Sequence, residues 1–236
     1  MIRKLLLLIA LCGISPALAG TLKKPPTQLD PAKAYVVVEI GHMDDAMLPG
    51  TLTLARYDPS KSDIAAPTPP PEGKIPKGGW VADNRVFLRK AAFKDKKRQL
   101  FYVEMQPGMW VIEGANDTAF ALGSNTFELA PGSVTDLGVA RVFSDFSEGE
   151  KRDISTNARL LKAAFTGGLF VSIKPKPVPR AVEFRPRTST DLTLPPIFTS
   201  APPVNWSGLV EFGNYLGGMV NRMGGIKSRP GRNEAP

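Results

Sequence analysis

Residues 126–142 have the sequence TFELAPGSVTDLGVARV, in which two runs of β-forming residues flank a Pro-Gly pair. Residues 100–112 show the same arrangement as LFYVEMQPGMWVI. Proline sets φ at the start of a turn, and glycine supplies backbone angles that other residues disfavour. Both stretches therefore predict two strands joined by a tight turn, either within a hairpin or at the edge of a sandwich.

Similar strand patterns occur through most of residues 20–150. Each candidate is short, rich in β-branched or alternating apolar residues, and bounded by Gly, Pro, Asp or Asn. The candidate strands are 34–40, 50–57, 85–88, 98–105, 109–114, 126–129 and 134–142. No long helical pattern separates them, which disfavours a parallel βαβ fold. The sequence therefore predicts an all-β domain, an antiparallel β-sandwich of about seven strands.

The stretch 98–142, with AYVVVEI at 34–40 as a first strand, resembles small exported bacterial β-sandwich proteins of the prealbumin or carboxypeptidase-regulatory type. In those proteins a strand ends in a Pro-Gly turn before a strand that carries an aromatic residue. A later strand ends in a similar turn before a strand centred on Leu-Gly. The resemblance implies a sandwich fold. It implies no catalytic residues, because most members have no assigned function.

The N-terminal sequence MIRKLLLLIALCGISPALAG has the three parts of a signal peptide: a basic start, an apolar run and a small-x-small motif that ends at Ala19. We therefore expect residues 1–19 to be removed. The apolar run is shorter than the roughly 20 residues that span a bilayer, and we expect no transmembrane helix in the mature chain. Cys12 is the only cysteine, so the mature chain has no disulfide. These features indicate export to the periplasm or outer envelope of a bacterium.

Charge is distributed unevenly along the chain. Residues 20–150 carry 15 Lys or Arg and 17 Asp or Glu, a net charge of −2, whereas residues 151–236 carry 13 and 5, a net charge of +8. A basic segment favours anionic partners, although a solvated extension has the same composition. Neither a basic helical stripe nor an aromatic platform is present, so we expect no nucleic-acid binding.

The C-terminal part predicts little regular structure. Residues 151–173 indicate a short helix at 155–168 and an edge strand at 169–173, both packed on the sandwich. Eight prolines in 174–203 predict an extended chain, so we expect 174–236 to be a basic, partly disordered tail.

Within this tail, 209–226 has apolar residues at helical spacing, but its glycines weaken a helix. The segment would form only against the sandwich, a partner or a membrane surface. We expect residues 20–150 to stay folded without the tail.

Two basic stretches are candidates for contact with an anionic surface. One is FKDKKRQ at 93–99, whose alternative interpretation is a solvated hairpin loop. The other lies at the C-terminal end of 209–226. The candidate residues are Lys94, Lys96, Lys97, Arg98, Arg222, Lys227, Arg229 and Arg232.

Few residues suggest catalysis or cofactor binding. His42 is the only histidine, and with Asp44 and Asp45 it gives a thin candidate metal site that we interpret as a turn. We expect no cofactor. Tryptophans could form a sugar platform, but Trp80, Trp110 and Trp206 are scattered along the chain.

Taken together, the patterns favour an exported, non-catalytic β-sandwich protein that binds another envelope component, which could be a protein, a glycan or an anionic lipid. The alternative is an exported hydrolase of glycan or peptide that uses converging carboxylates.

Overall fold

The computed structural model describes residues 19–41, 50–69, 83–95, 97–145 and 178–225. These ranges contain fourteen strands and one turn of 3-10 helix at Pro196–Phe198. In chain order the strands are β1 (Gly20–Leu22), β2 (Ala34–Gly41), β3 (Leu52–Asp58), β4 (Asp63–Ile64), β5 (Arg85–Phe87), β6 (Phe93–Lys94), β7 (Arg98–Met105), β8 (Gly108–Ala115), β9 (Thr118–Ala119), β10 (Ser124–Leu129), β11 (Val134–Ser144), β12 (Arg180–Arg185), β13 (Trp206–Val210) and β14 (Met219–Val220).

The all-β prediction is confirmed, but the expected number of strands was too low. All seven predicted strands are present as β2, β3, β5, β7, β8, β10 and β11. The others are short or lie beyond residue 178. Strands of two or three residues are too short to show an alternating pattern, and they form because a neighbouring strand offers hydrogen bonds.

The strands form two sheets. The first has the order β1-β7-β2-β11-β12, with β6 also paired to β7. The second has the order β13-β10-β8-β3-β4, with β5 on β3, β9 on β8 and β14 on β9. Pairing is mostly antiparallel, but β2 and β11 pair in parallel, as do β9 and β14. The predicted antiparallel sandwich is therefore confirmed only in part, because two of its strand pairs are parallel. Partners this far apart in sequence are not constrained by a hairpin to run in opposite directions.

Both Pro-Gly turns carry the chain from one sheet to the other. Pro107-Gly108 lies between β7 of the first sheet and β8 of the second, and Pro131-Gly132 lies between β10 of the second sheet and β11 of the first. Gly108 and Gly132 have φ values of +124° and +68°, which glycine adopts with little strain. The repeated motif therefore marks turns at the edge of a two-sheet structure, not hairpins.

One core lies between the two sheets, as in a β-sandwich. The first sheet contributes Val36, Val38, Phe101 and Val103, and the second contributes Leu52, Leu54, Trp110, Ile112 and Phe127. All of these side chains are fully buried. Alternate residues of each strand supply this core, because successive side chains of a β-strand point to opposite faces of the sheet.

A second apolar cluster covers the outer face of the first sheet. Tyr35 and Tyr102 point outward from β2 and β7, and Phe198 packs against both, with ring centroids 6.5 and 5.1 Å away. Phe198 is fully buried although it belongs to the Pro-rich stretch. We call residues 186–203 the covering segment, because they form a third layer over this face.

The sandwich extends well past residue 150, where the sequence placed its end. Strand β12 pairs with β11 over six residues, and Phe212 and Met223 pack into the main core. Residues 209–225 form parts of two strands and not a helix, partly because Gly217 and Gly218 have positive φ values that a right-handed helix excludes. The predicted helix at 155–168 and edge strand at 169–173 lie outside the described residues. No helix in the described ranges is long and apolar enough to cross a membrane.

Candidate functional site

A tight hairpin connects β6 to β7 at the edge of the first sheet. Asp95 organises its turn, because Oδ1 accepts hydrogen bonds from the backbone N–H groups of Lys97 and Arg98 at 2.7 and 2.6 Å. The backbone of Asp95 also donates to the carbonyl of Arg98 at 2.9 Å. The hydrogen bond from Lys97, followed by those from Arg98, holds the pKa of the Asp95 carboxyl below its usual range. The carboxylate is therefore charged at neutral pH and engaged within the turn.

The same carboxylate neutralises one cation of the hairpin. Arg98 Nη2 lies 3.2 Å from Asp95 Oδ2, and Arg98 Nε lies 4.0 Å from Oε1 of Glu39. Lys94 and Lys97 are exposed and take part in no ion pair within the described part of the chain. The hairpin therefore presents two positive charges that form no ion pair with any described carboxylate.

Exposed aromatic and basic residues lie in this hairpin and in the stretch that leads into it. Phe87 and Phe93 are 43% and 48% exposed, which is high for large apolar side chains. The guanidinium of Arg89 lies 4.9 Å from the centroid of the Phe87 ring, and Lys90 is exposed beside it. We call the exposed residues Phe87, Arg89, Lys90, Phe93, Lys94 and Lys97, which share the stretch 87–97, the basic edge. Cations next to exposed aromatic rings are typical of surfaces that meet anionic headgroups.

The structure brings together only some of the residues predicted from sequence. Lys94, Lys97 and Arg98 share the hairpin. Arg222 lies elsewhere, after β14 of the second sheet, where its side chain approaches Gly123. The remaining candidates, Lys96, Lys227, Arg229 and Arg232, lie outside the described residues. Among the described residues, the two candidate stretches therefore lie in different sheets, and their contact with an anionic surface stays a prediction.

The candidate metal residues His42, Asp44 and Asp45 also lie outside the described residues. Within those ranges, no group of three or more His, Cys, Asp or Glu side chains is placed to hold a metal ion.

The tryptophans do not form a surface platform among the described residues. Trp110 is buried in the core, Trp206 packs against Phe127 and Phe184, and Trp80 is not described. The sequence patterns did not predict that Phe87 and Phe93 are exposed at a candidate site. Their only signal in the sequence was a position close to basic residues.

Two buried clusters bring carboxylates close to arginine. Arg187 donates to Glu39 Oε2 at 2.8 Å and to Asp136 Oδ2 at 3.0 Å beneath the covering segment. In the second sheet Arg85 donates to both oxygens of the fully buried Glu113. A general acid or base must reach the substrate, whereas these carboxylates are enclosed and paired. Neither cluster therefore supports the hydrolase hypothesis.

No protein-family model, curated protein or solved structure matches this chain. The resemblance to prealbumin-type sandwich proteins therefore stays a prediction, and the case for the basic edge rests on its geometry and charge.

Proposed function

We propose that this chain is an exported, non-catalytic β-sandwich protein that binds an anionic component of the bacterial cell envelope through the basic edge. The observation that carries the proposal is the use of Asp95 within its own turn. Its carboxylate pairs with Arg98, so Lys94 and Lys97, which follow exposed Phe93 in the chain, have no ion-pair partner among the described residues. The ligand chemistry that fits is a phosphate-bearing or carboxylate-bearing lipid headgroup.

The number of cations sets the expected strength of this contact. A Lys or Arg near an anionic membrane surface contributes about 1 kcal/mol. Four exposed cations, Arg89, Lys90, Lys94 and Lys97, therefore support weak and reversible binding. Salt screens such contacts, since the Debye length falls to about 3 Å at 1 M ionic strength.

The proposed export agrees with the position of the first strand. Strand β1 begins at Gly20, the residue after the expected cleavage site, and pairs with β7 in the register Gly20↔Glu104. Cleavage after Ala19 would leave all fourteen described strands in the mature chain. We expect a mature protein that begins at Gly20, which intact mass measurement of the envelope fraction would test. A product that retains residues 1–19 would contradict this part of the proposal.

Vesicle binding tests the ligand class. The mature chain is mixed with vesicles of phosphatidylcholine alone or with added phosphatidylglycerol, and binding is measured by co-sedimentation. We expect binding only to the anionic vesicles and its loss in high salt. The double variant Lys94→Ala/Lys97→Ala removes two charges and should bind about 30-fold more weakly.

A control variant separates the basic edge from net charge. Lys61→Ala/Arg222→Ala removes the same charge from two other exposed positions, and we expect its vesicle binding to match the wild type. An equal loss in both double variants would show that net charge drives the contact and would overturn the assignment to the basic edge. Binding to neutral vesicles as strong as to anionic ones would overturn the ligand class.

A further inference from the structure

A small cleft in the second sheet shares Phe87 and Arg89 with the basic edge. Its volume is about 160 Å³, and it opens between the start of β3, the end of β5 and the turn from β8 to β9. Phe87 and Leu216 form apolar walls, while Thr51, Arg89 and Asp117 supply polar groups. This volume is below the roughly 300 Å³ of pockets for drug-sized ligands, so the cleft suits one small ring.

Hydrogen bonds hold the polar side of the cleft in place. Asn116 Oδ1 accepts from both the backbone N–H and the hydroxyl of Thr51 at 2.9 Å, and the backbone of Asn116 donates to the carbonyl of Thr51 at 3.0 Å. The backbone carbonyl of Asp117 accepts from Met219 N–H at 3.0 Å. The cleft is therefore shaped before any ligand arrives, which reduces the entropy cost of binding.

The C-terminal part of the chain supplies the remaining wall. Leu216 lies so close to Gly114 that a Cβ added at Gly114 would come within 2.9 Å of its Cδ1. Nearby, Tyr215 donates to Asp63 at 2.7 Å, and the Arg85 guanidinium lies 5.6 Å from the Tyr215 ring centroid. These contacts anchor the segment that carries Leu216.

We propose that this cleft binds a single pyranose ring of an envelope glycan. A sugar presents apolar C–H groups to Phe87 and Leu216 and hydroxyl groups that can both donate and accept hydrogen bonds. Arg89 offers only donors, and Asp117, when ionised, offers only acceptors, so a hydroxylated ring can satisfy both. Arg89 and Asp117 bring one positive and one negative charge to the cleft, which distinguishes it from the surface formed by Lys94 and Lys97, where two cations are exposed. Binding of a pyranose ring does not require the membrane contact of Lys94 and Lys97, whereas the envelope origin of the glycan rests on the proposed export.

Saturation-transfer NMR on the mature chain tests the inference, with chitotriose, cellotriose and maltotriose as probes. We expect at least one to bind with millimolar affinity. Phe87→Ala should weaken that binding about tenfold. Asp117→Asn should also weaken it, and because Asp117 is exposed and not part of the core, this variant should leave the fold intact. Phe93→Ala is the matched control, because Phe93 is equally exposed but does not line the cleft.

Saccharide binding and vesicle binding can be tested separately, because they are assigned to different residues. Lys94→Ala/Lys97→Ala should leave saccharide binding unchanged, so binding to saccharides without binding to vesicles would support the cleft and reject the membrane contact. Two results would overturn the inference: no saturation transfer from any of the three saccharides, or wild-type affinity in both Phe87→Ala and Asp117→Asn.

Discussion

The guanidinium of Arg187 donates a 2.8 Å hydrogen bond to Oε2 of Glu39, although 148 positions separate the two residues. Glu39 is fully buried on β2, and the same oxygen accepts from the backbone N–H of Leu192 at 3.0 Å. Arg187 also bridges to Asp136 on β11. The covering segment is thus joined to the middle of the first sheet by charge as well as by the packing of Phe198.

Removal of the Arg187 guanidinium should destabilise the fold strongly. Arg187→Met leaves the buried carboxylate of Asp136 without its cation and Glu39 with only Arg98 at 4.0 Å, and breaking a buried ion pair in this way typically costs about 3–5 kcal/mol. Lys61→Met is the control: Lys61 pairs with Asp58, but its side chain is 66% exposed, so the loss should stay within about 1 kcal/mol. Urea unfolding measures both, and equal losses would contradict a special role for Arg187.

Truncation should show that the sandwich needs its C-terminal strands. A chain that ends at residue 177 lacks β12, Phe198, Phe212 and Met223, and we expect it to lose its cooperative thermal transition. This is the opposite of what the composition of 174–236 suggested. A chain that ends at Gly225 loses no described contact and should melt like the wild type. A cooperative melt in the shorter chain would show that the sandwich folds without residues 178–236.

Phe198 should account for much of the stability that the covering segment provides. Phe198→Ala removes a fully buried ring that packs on Tyr102, and such substitutions cost about 3–5 kcal/mol. Leu209→Ala is the control, since Leu209 is 69% exposed on β13. Denaturant midpoints should fall clearly for the first variant and hardly for the second. A midpoint unchanged by Phe198→Ala would mean that the segment is only loosely attached.

The contact between Tyr215 and Asp63 should make stability depend on pH in the acid range. The hydrogen bond from the Tyr215 hydroxyl, with backbone hydrogen bonds from Gly213 and Ile64, lowers the pKa of Asp63. A lowered folded-state pKa contributes stability that is present above the unfolded pKa of about 3.9 and is lost as the pH falls through the folded-state value. Tyr215→Phe should therefore be less stable than wild type at pH 7, and the difference should shrink below about pH 4.

A double-mutant cycle isolates this effect. In an Asp63→Asn background, Tyr215→Phe should change the urea midpoint by the same amount at both ends of this pH range, because no carboxyl remains to titrate there. A pH-dependent difference that persists in that background would assign the titration to another group.

Gly138 should tolerate substitution less well than Gly132. Gly138 has φ of +79° at the irregularity where β11 shifts its register with β2, and a Cβ there would collide with the carbonyl oxygen of Arg185. Gly132 also has positive φ, but the nearest atom to an added Cβ is Pro31 Cα at 3.4 Å. Gly132→Ala should cost about 1–2 kcal/mol from the backbone alone, and Gly138→Ala should cost more. Similar unfolding midpoints for the two variants would contradict this assignment.

Sequence patterns predicted the elements whose signals are local. Alternating residues in β2, β3, β7, β8, β10 and β11 predicted strands, and the two Pro-Gly pairs predicted turns between them. The charge run at 93–99 predicted that Lys94 and Lys97 lie on the surface, where the structure shows both exposed. Side-chain alternation and turn preferences act over a few neighbouring residues, so they are visible without knowledge of the fold.

Tertiary structure alone decided how those elements pair and which charges remain uncompensated. The parallel pairing of β2 with β11, the third layer that contains Phe198, and the contact of Arg187 with Glu39 join residues far apart in the chain. The exposure of Phe87 and Phe93, and the pairing of Asp95 with Arg98 rather than with a lysine, depend on the geometry of one hairpin. Composition and periodicity carry no information on such contacts, because long-range packing selects partners by position in space and not by spacing along the chain.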